Sequence, residues 1–426
     1  MRLPARFESG VWQLHSFRLL LSASMISIFG SLITNTAFPF IAIVELGAGP
    51  LQLAILGLAG IVPSALLGSL IGVWIDRRSP RAVMIGSDIL NAIALATIPI
   101  CWWLDALSMA VLFVVAFITS LAKLAFRVAD RSLLPVAVGR DYVEPANAAL
   151  SGGSAIAEAG GFSVGGLLVQ VLTGPVALLF DAISFVASAF LLSRLQITKA
   201  SSVDEEAQEP LHWRLEMIDG FRKIRSSLTL WPLAIALVLM SAGMQAIGTV
   251  YFLFVNQSLG FGPGVLGVVF AMGGIGSLIG ATWSMRATAR FGAGVALIGS
   301  LLVLSGAMGS ITLARTARPL ALGIMIGQQF CDAFWLYFES TSTSIRQLHA
   351  PEAMLGRING AFENLEFIGL LIGAGLGALI GERIGLRATI LTGAGLVVLA
   401  ALSLLLSPVR TVRGLRPVDV GAELAL

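Results

Sequence analysis

Long apolar runs alternate with short polar breaks along the whole chain, and that rhythm predicts a bundle of membrane-spanning helices. A span needs about 20 mostly apolar residues. Runs of that kind cover 17–44, 51–74, 82–104, 107–128, 146–172 and 175–194, then 231–256, 263–285, 294–314, 319–343, 358–381 and 386–407. Six spans are thus followed by a polar gap and six more. The gap runs from Gln196 to Leu230; its acidic part, Asp204-Glu205-Glu206, reads as a linker. After it, Trp213, Met217, Phe221 and Ile224 alternate with Arg214, Arg222, Lys223 and Arg225, the pattern of an amphipathic, interfacial helix. The expected layout is a six-helix half over 1–195, a cytoplasmic linker over 196–230, a second six-helix half over 231–410 and a cytoplasmic tail over 411–426.

Composition narrows the solvent to a bilayer. Hydrophobic residues make up 57% of the 426 positions and charged residues 12%, with a mean hydropathy of +0.90. A soluble domain carries about 25% charged residues, so this chain could not cover its own surface in water. The first apolar run also extends too far for a cleaved secretory signal, whose apolar core is roughly 7–15 residues. Arg2 and Arg6 therefore precede a first spanning helix.

The basic residues, 24 arginines among 27, set the orientation. One side of the membrane collects the N-terminal arginines, the group Arg77, Arg78 and Arg81, the group Arg127, Arg131 and Arg140, and the stretch from Arg194 to Arg225. It also takes Arg286, Arg290, Arg346, Arg357 and the tail arginines; the other side holds Arg315, Arg318, Arg383 and Arg387. The positive-inside bias then places both termini in the cytoplasm, as an even number of spans requires. The two halves repeat. Gly68-Ser-Leu-Ile-Gly72 recurs 208 residues later as Gly276-Ser-Leu-Ile-Gly280, and the segment around Asn147 aligns with that around Asn359. Two matches in register point to parallel six-helix halves.

After the second span stands Gly72-Val-Trp-Ile-Asp76-Arg77-Arg78-Ser-Pro-Arg81. This resembles the G-x-x-x-D-R-x-x-x-[RK] loop of the major facilitator superfamily. Val83-Met-Ile-Gly-Ser-Asp88, Leu133-Leu-Pro135, Asp181-Ala-Ile-Ser-Phe185 and Leu355-Gly356-Arg357-Ile-Asn359 are similar to the macrolide-efflux-like and enterobactin-exporter-like branch. The resemblance covers nearly the whole chain and implies an all-α fold of twelve transmembrane helices in a bacterial cytoplasmic membrane. It implies a secondary efflux transporter for drug-like amphiphiles, exchanging them for protons by alternating access. Two departures stand out. Gly161-Phe162-Ser-Val-Gly165-Gly166 lacks the proline of the G-P-x-x-G-G run common in antiporters of this superfamily, and Ser79-Pro80 replaces a usual G-R pair in the first loop.

Candidate chemistry follows the polar residues. The resemblance implies a cytoplasmic latch, built of Gly72, Asp76, Arg77 and Arg81 with Asp130 as the facing carboxylate; Asp76 can use the positive N-terminal end of a neighbouring helix. Polar positions at helical spacing fall in the first and fourth spans of each half: Ser24, Ser27, Ser31 and Asn35; Ser120, Lys123 and Arg127; Ser241, Gln245, Thr249 and Asn256; Gln328, Asp332 and Glu339. Those are the helices that line the central cavity in the superfamily. A polar stripe in hydrocarbon is costly unless it meets water or other polar groups, although interhelical hydrogen bonds account for the serines. Asn35, Lys123, Arg127, Gln245, Asp332, Trp335 and Glu339 are the expected substrate contacts, with Phe38, Phe252, Phe254, Phe334 and Phe338 as stacking surface. Glu158 and Asp332 are the expected carriers of a proton. Asp88 and Asp181 read as structural, and Glu363 and Glu366 as charges at the cytoplasmic mouth.

Other classes find little support. The glycine patterns neither follow a strand nor open a soluble helix, so they read as close-packing faces rather than a dinucleotide fingerprint. No Walker-type phosphate loop, metal-ligand spacing or nucleophile-base pair stands out, and no cofactor, nucleotide or nucleic acid is expected. The expected partners are a small-molecule substrate, protons and the bilayer. A defined metabolite such as a siderophore, bound through Lys123 and Arg127, is the alternative cargo. A receptor or assembly factor without transport has no need of a wet centre.

Overall fold

A computed structural model describes residues 10–76, 78–195, 213–315, 319–351 and 354–413. The regular elements among the described residues are all helical. In chain order they are α1 (His15–Phe40), α2 (Pro50–Asp76), α3 (Pro80–Trp103), α4 (Met109–Val138), α5 (Val143–Leu172) and α6 (Gly174–Ser193), then the short α7 (Trp213–Ser226). The second series is α8 (Leu230–Leu253), α9 (Pro263–Phe291), α10 (Ala293–Ser310), α11 (Pro319–Phe330), α12 (Asp332–His349), α13 (Leu355–Arg383) and α14 (Leu386–Leu405). Nine helices among the described residues are long and apolar enough to cross a membrane, and α5 and α9 add shorter apolar stretches, Gly160–Leu172 and Pro263–Gly276.

Two features correct the sequence reading of the spans. The fourth helix continues ten residues past the expected end at 128, through Asp130 and Pro135 to Val138. The tenth span is not one helix. It breaks at Cys331 into α11 and α12, with the Cys331 N–H bonded to the Gln328 carbonyl and the Phe334 N–H to the Cys331 carbonyl. Asp332 therefore stands in the first turn of a helix.

Cα packing divides the chain into two units: Met1–Ala207 with Phe261–Ala271, and Gln208–Gly260 with Met272–Leu426. In unit 1, α1 packs on α5 and α6, α3 on α4 and α6, and α2 on α4. In unit 2, α8 packs on α13 and α14, and α10 on α12 and α14. The first helix of each series ends alike, α1 running into a π-helical turn at Ile41–Glu45 and α8 into one at Phe254–Ser258. The α7 segment packs on α13: a Cβ at Gly220 would lie 2.5 Å from the Arg357 carbonyl oxygen, and Ile224 is fully buried.

Small residues bring these backbones together. Gly165 faces the Ile33 backbone of α1, while Gly369, Gly373 and Gly377 lie along α8. A Cβ at Gly373 would come within 2.2 Å of the Ala242 carbonyl oxygen, whereas one at Gly375 would meet nothing within 4 Å. Forcing a methyl into a filled contact costs about 1–3 kcal/mol. Gly373→Ala should therefore lower the unfolding temperature of the detergent-purified protein, and Gly375→Ala should leave it unchanged or raise it. Equal effects would mean that α8 and α13 are not in close backbone contact.

Candidate functional site

In unit 1 the polar residues converge on Asp181, which α6 buries completely. The Thr34 hydroxyl of α1 donates to Asp181 Oδ2, and the Ser184 hydroxyl donates to Oδ1 at 3.1 Å and to the Asp181 carbonyl at 2.8 Å. Gly30 makes room for the carboxylate, since a Cβ there would lie 2.2 Å from Asp181 Oδ1. The Lys123 ammonium on α4 acts electrostatically on the same carboxylate. Three helices of the unit are thus tied at one buried charge. Sequence reasoning assigned Asp181 a structural role but missed this link to Lys123, because nothing local in either helix announces it.

Other members of the stripes are packing features. Ser24 and Ser27 are buried. The Ser120 hydroxyl donates to the Gly60 carbonyl of α2 at 2.7 Å and lies 2.9 Å from the Ser64 hydroxyl, so it joins α2 to α4. Asn35 and Arg127, by contrast, are exposed. The expected latch is not assembled through Arg81, which donates from Nε to the Leu192 carbonyl at 2.9 Å and from Nη2 to the Ser193 carbonyl, capping the end of α6. Arg78 instead lies over the Trp74 ring at 4.7 Å, and Asp130 keeps a buried oxygen without a hydrogen-bond partner. A guanidinium has five donors and seeks the unsatisfied carbonyls at a helix end as readily as a carboxylate. Gly72 has open space where a Cβ would stand. Arg77 and the side chains of Asp76 and Glu158 lie outside the described residues.

In unit 2 the helix break organises the site. Gln328 Nε2 donates to Asp332 Oδ1 at 3.2 Å, and the Tyr251 hydroxyl of α8 donates to Gln328 Oε1 at 3.4 Å. Asp332 is thus held at the start of α12, where the helix dipole favours an anion. Cys331 and Ala333, its sequence neighbours, line an apolar cavity of about 530 Å³ together with Gly276, Gly280, Phe330 and Phe334. Binding cavities for small molecules commonly have about 300–1,000 Å³. Trp335 is 40% exposed and Gln245 half-buried. Of the expected stacking residues, Phe38, Phe254 and Phe338 are buried in packing and offer no open face.

Glu339, two turns beyond Asp332, belongs to a different cluster. It acts with Glu363 and Glu366 of α13 on the Arg346 guanidinium, which stacks 4.7 Å from the Phe362 ring centroid and donates to Thr343 Oγ1 at 2.6 Å. The two carboxylates expected to cooperate therefore have separate partners. Arg346 was legible only as a topology signal; its place seven residues after Glu339 on one helix was the clue available.

Buried polar groups on a bundle of long apolar helices define a polytopic membrane protein. The chain belongs to the major facilitator superfamily, whose family model matches residues 20–374. It is 25% identical over 381 residues to the multidrug efflux pump Tap of Mycolicibacterium fortuitum, covering 88% of this chain and 91% of that protein. It is 22% identical to macrolide efflux protein A of Streptococcus pyogenes, covering 92% and 95%. Among solved structures, an inward-facing bacterial homologue of the iron transporter ferroportin matches with a TM-score of 0.72 at 16% identity, and the nucleoside transporter NupG with 0.70 at 14%. Each match covers 92% of this chain and 98% of the other, and they show the fold.

The Asp181 tie generates a test of its own. Removing one partner leaves the other a buried polar group without compensation, at about 1–3 kcal/mol. Asp181→Asn and Lys123→Met should each lower the thermal stability of the purified protein, and the double variant should lose about 0.5–3 kcal/mol less than the two single losses combined. Strict additivity would separate the two side chains.

Proposed function

We propose that this transporter exports bulky amphiphilic small molecules, driven by exchange for protons through alternating access. The observation that carries the reading is the apolar cavity of about 530 Å³ bounded by the residues on either side of Asp332. An amphiphile needs an apolar surface for its body and a fixed charge for its polar end, and a carboxylate in water-poor surroundings attracts a lipophilic cation strongly. The drug-efflux names of the two relatives support the same reading. Asn35, Gln245 and Trp335 are further proposed substrate contacts, and Asp332 and Glu158 proposed proton carriers. Glu339 is better placed as a partner of Arg346 than as a substrate anchor.

Export of an anionic metabolite relied on Lys123 and Arg127 acting together. Lys123 is engaged with Asp181, so Arg127 alone remains for that role. The cationic amphiphile is therefore preferred.

Drug susceptibility in an efflux-deficient bacterial host, with and without a protonophore, tests the proposal. Expression should raise resistance to cationic amphiphiles, and the protonophore should remove the gain. Asp332→Asn should abolish resistance to cationic compounds selectively, while Arg127→Ala should chiefly weaken export of anionic ones. If Asp332→Asn spares every cationic compound, the cavity beside the helix break is not where the substrate sits.

The proposed orientation has both termini on the cytoplasmic side. A reporter active only outside the cytoplasm, fused after Gly47, Ala106 or Gly260, should be active, and the same reporter fused after Gln208 or Ala350 should be silent. Activity from the Gln208 fusion would overturn the arrangement.

A further inference from the structure

Beside the Asp181 tie lies a second buried carboxyl with nothing to hold it. Asp88 on α3 is fully buried, and both its oxygens lack a hydrogen-bond partner. So do both polar atoms of Asn91, one turn further along α3, and the Ser188 hydroxyl on α6; these residues are 1% and 0% exposed. Ser188 stands beside the Asp88 carboxyl without closing a hydrogen bond. It is the end of a stripe, Asp181, Ser184 and Ser188, that runs along one face of α6 for two turns, about 10 Å. Five orphan polar atoms in one place between two apolar helices need an explanation.

Charge makes the deficit sharper. Asp181 acts unfavourably on Asp88, while the Lys123 ammonium of α4 acts on Asp181. Of the other charges on helices packed against α3, Asp130 acts with Arg131 and Arg81 caps α6, while Arg127 is exposed and repelled by Arg131. An ionised Asp88 would add a second negative charge near Asp181, whose cation is Lys123, and an uncompensated ion in such surroundings is strongly disfavoured. A proton on Asp88 removes that second charge and makes the carboxyl a donor as well as an acceptor beside the Ser188 hydroxyl.

We propose that Asp88, seated with Asn91 and Ser188 between α3 and α6, binds a proton that this transporter releases and recaptures during its cycle. The inference rests on the proton-exchange reading above and adds a carrier away from the cavity-lining helices. The stripe on α6 supplies the coupling. When Asp88 loses its proton, its charge opposes that of Asp181, and the carboxylate that Thr34 of α1 holds is disturbed. Asn35, exposed and next to Thr34, is the proposed substrate contact that feels the change. By reciprocity, a substrate that shifts α1 changes the affinity of Asp88 for its proton by the same factor.

Proteoliposomes test this, with ethidium as the fluorescent cationic probe. Wild-type protein should move ethidium faster under an imposed proton gradient, and in Asp88→Asn the ratio of rates with and without the gradient should fall to near one. Stimulation retained by Asp88→Asn overturns this inference alone. A wild type that exchanges ethidium but ignores the gradient overturns the proton-exchange reading and this inference together. A second readout needs no substrate: the infrared band of a protonated carboxyl should be present in wild type at neutral pH and smaller in Asp88→Asn. An unchanged band overturns the assignment, as does stimulation of wild-type exchange by sodium over choline chloride that Asp88→Asn abolishes, since the site would then hold a metal cation. If Asp88→Asn does not fold, Ser188→Ala should shift the pH midpoint of ethidium exchange, and an unshifted midpoint overturns the proposal.

Discussion

A polar atom inside a bilayer has no water to turn to, and the whole arrangement follows from that constraint. Backbone groups meet it by forming helices, which is why the regular elements among the described residues are helical. Side chains can meet it only through one another. Asp181 does so with Thr34 of α1, Ser184 of its own helix and the nearby ammonium of α4, so the need to satisfy one carboxylate fixes three helices of unit 1. Gly30 belongs to the same interaction, because any side chain there would fill the space the carboxylate occupies.

Unit 2 answers the constraint differently. At the Cys331 break, Asp332 gains the first turn of a helix and the amide of Gln328, which Tyr251 bonds in turn. Broken helices at membrane depth occur where they line a cavity or are buried in protein, and here the break borders an apolar cavity. The break seats the carboxylate in a first helical turn, and its flanking residues Cys331 and Ala333 form part of the apolar wall.

The helices and their sorting into two series were legible because apolar length is a strong, local signal. The glycine faces were too, since small residues four apart have few uses in a membrane other than close approach. The break at Cys331 was not legible. Phe330-Cys331-Asp332-Ala333 contains neither proline nor glycine, so no local breaker marks it. The candidate site was read in part. Asp332 and Lys123 were legible as ionisable positions on spanning helices, but their partners, Gln328 with Tyr251 and Asp181, come from other helices or another turn. The arginines misled for a related reason. The positive-inside bias says which side of the membrane Arg81 occupies and nothing of what it donates to, and in the structure it caps α6.

The repeated pentapeptide shows how far sequence symmetry reaches into packing. Gly276 and Gly280 lie against Phe330 and Ala333, with a Cβ at either coming within 2.7 Å or 2.2 Å of them, while Gly68 and Gly72 have open space or a distant Leu124 methyl. The two glycines of the pentapeptide are therefore under contact pressure in one unit and not in the other. The contacts of Gly276 and Gly280 straddle Cys331, on Phe330 of α11 and Ala333 of α12, so in unit 2 the glycines bring α9 against the break. A side chain at either position would push the broken helix away and remodel the cavity wall. In unit 1 the fourth helix is continuous through Lys123 and Arg127, and its counterpart glycines have no break to support. The two repeats share a fold and differ where a charge has to be held. One carries its buried charges on unbroken helices tied side by side, and the other opens a helix to seat a single carboxylate.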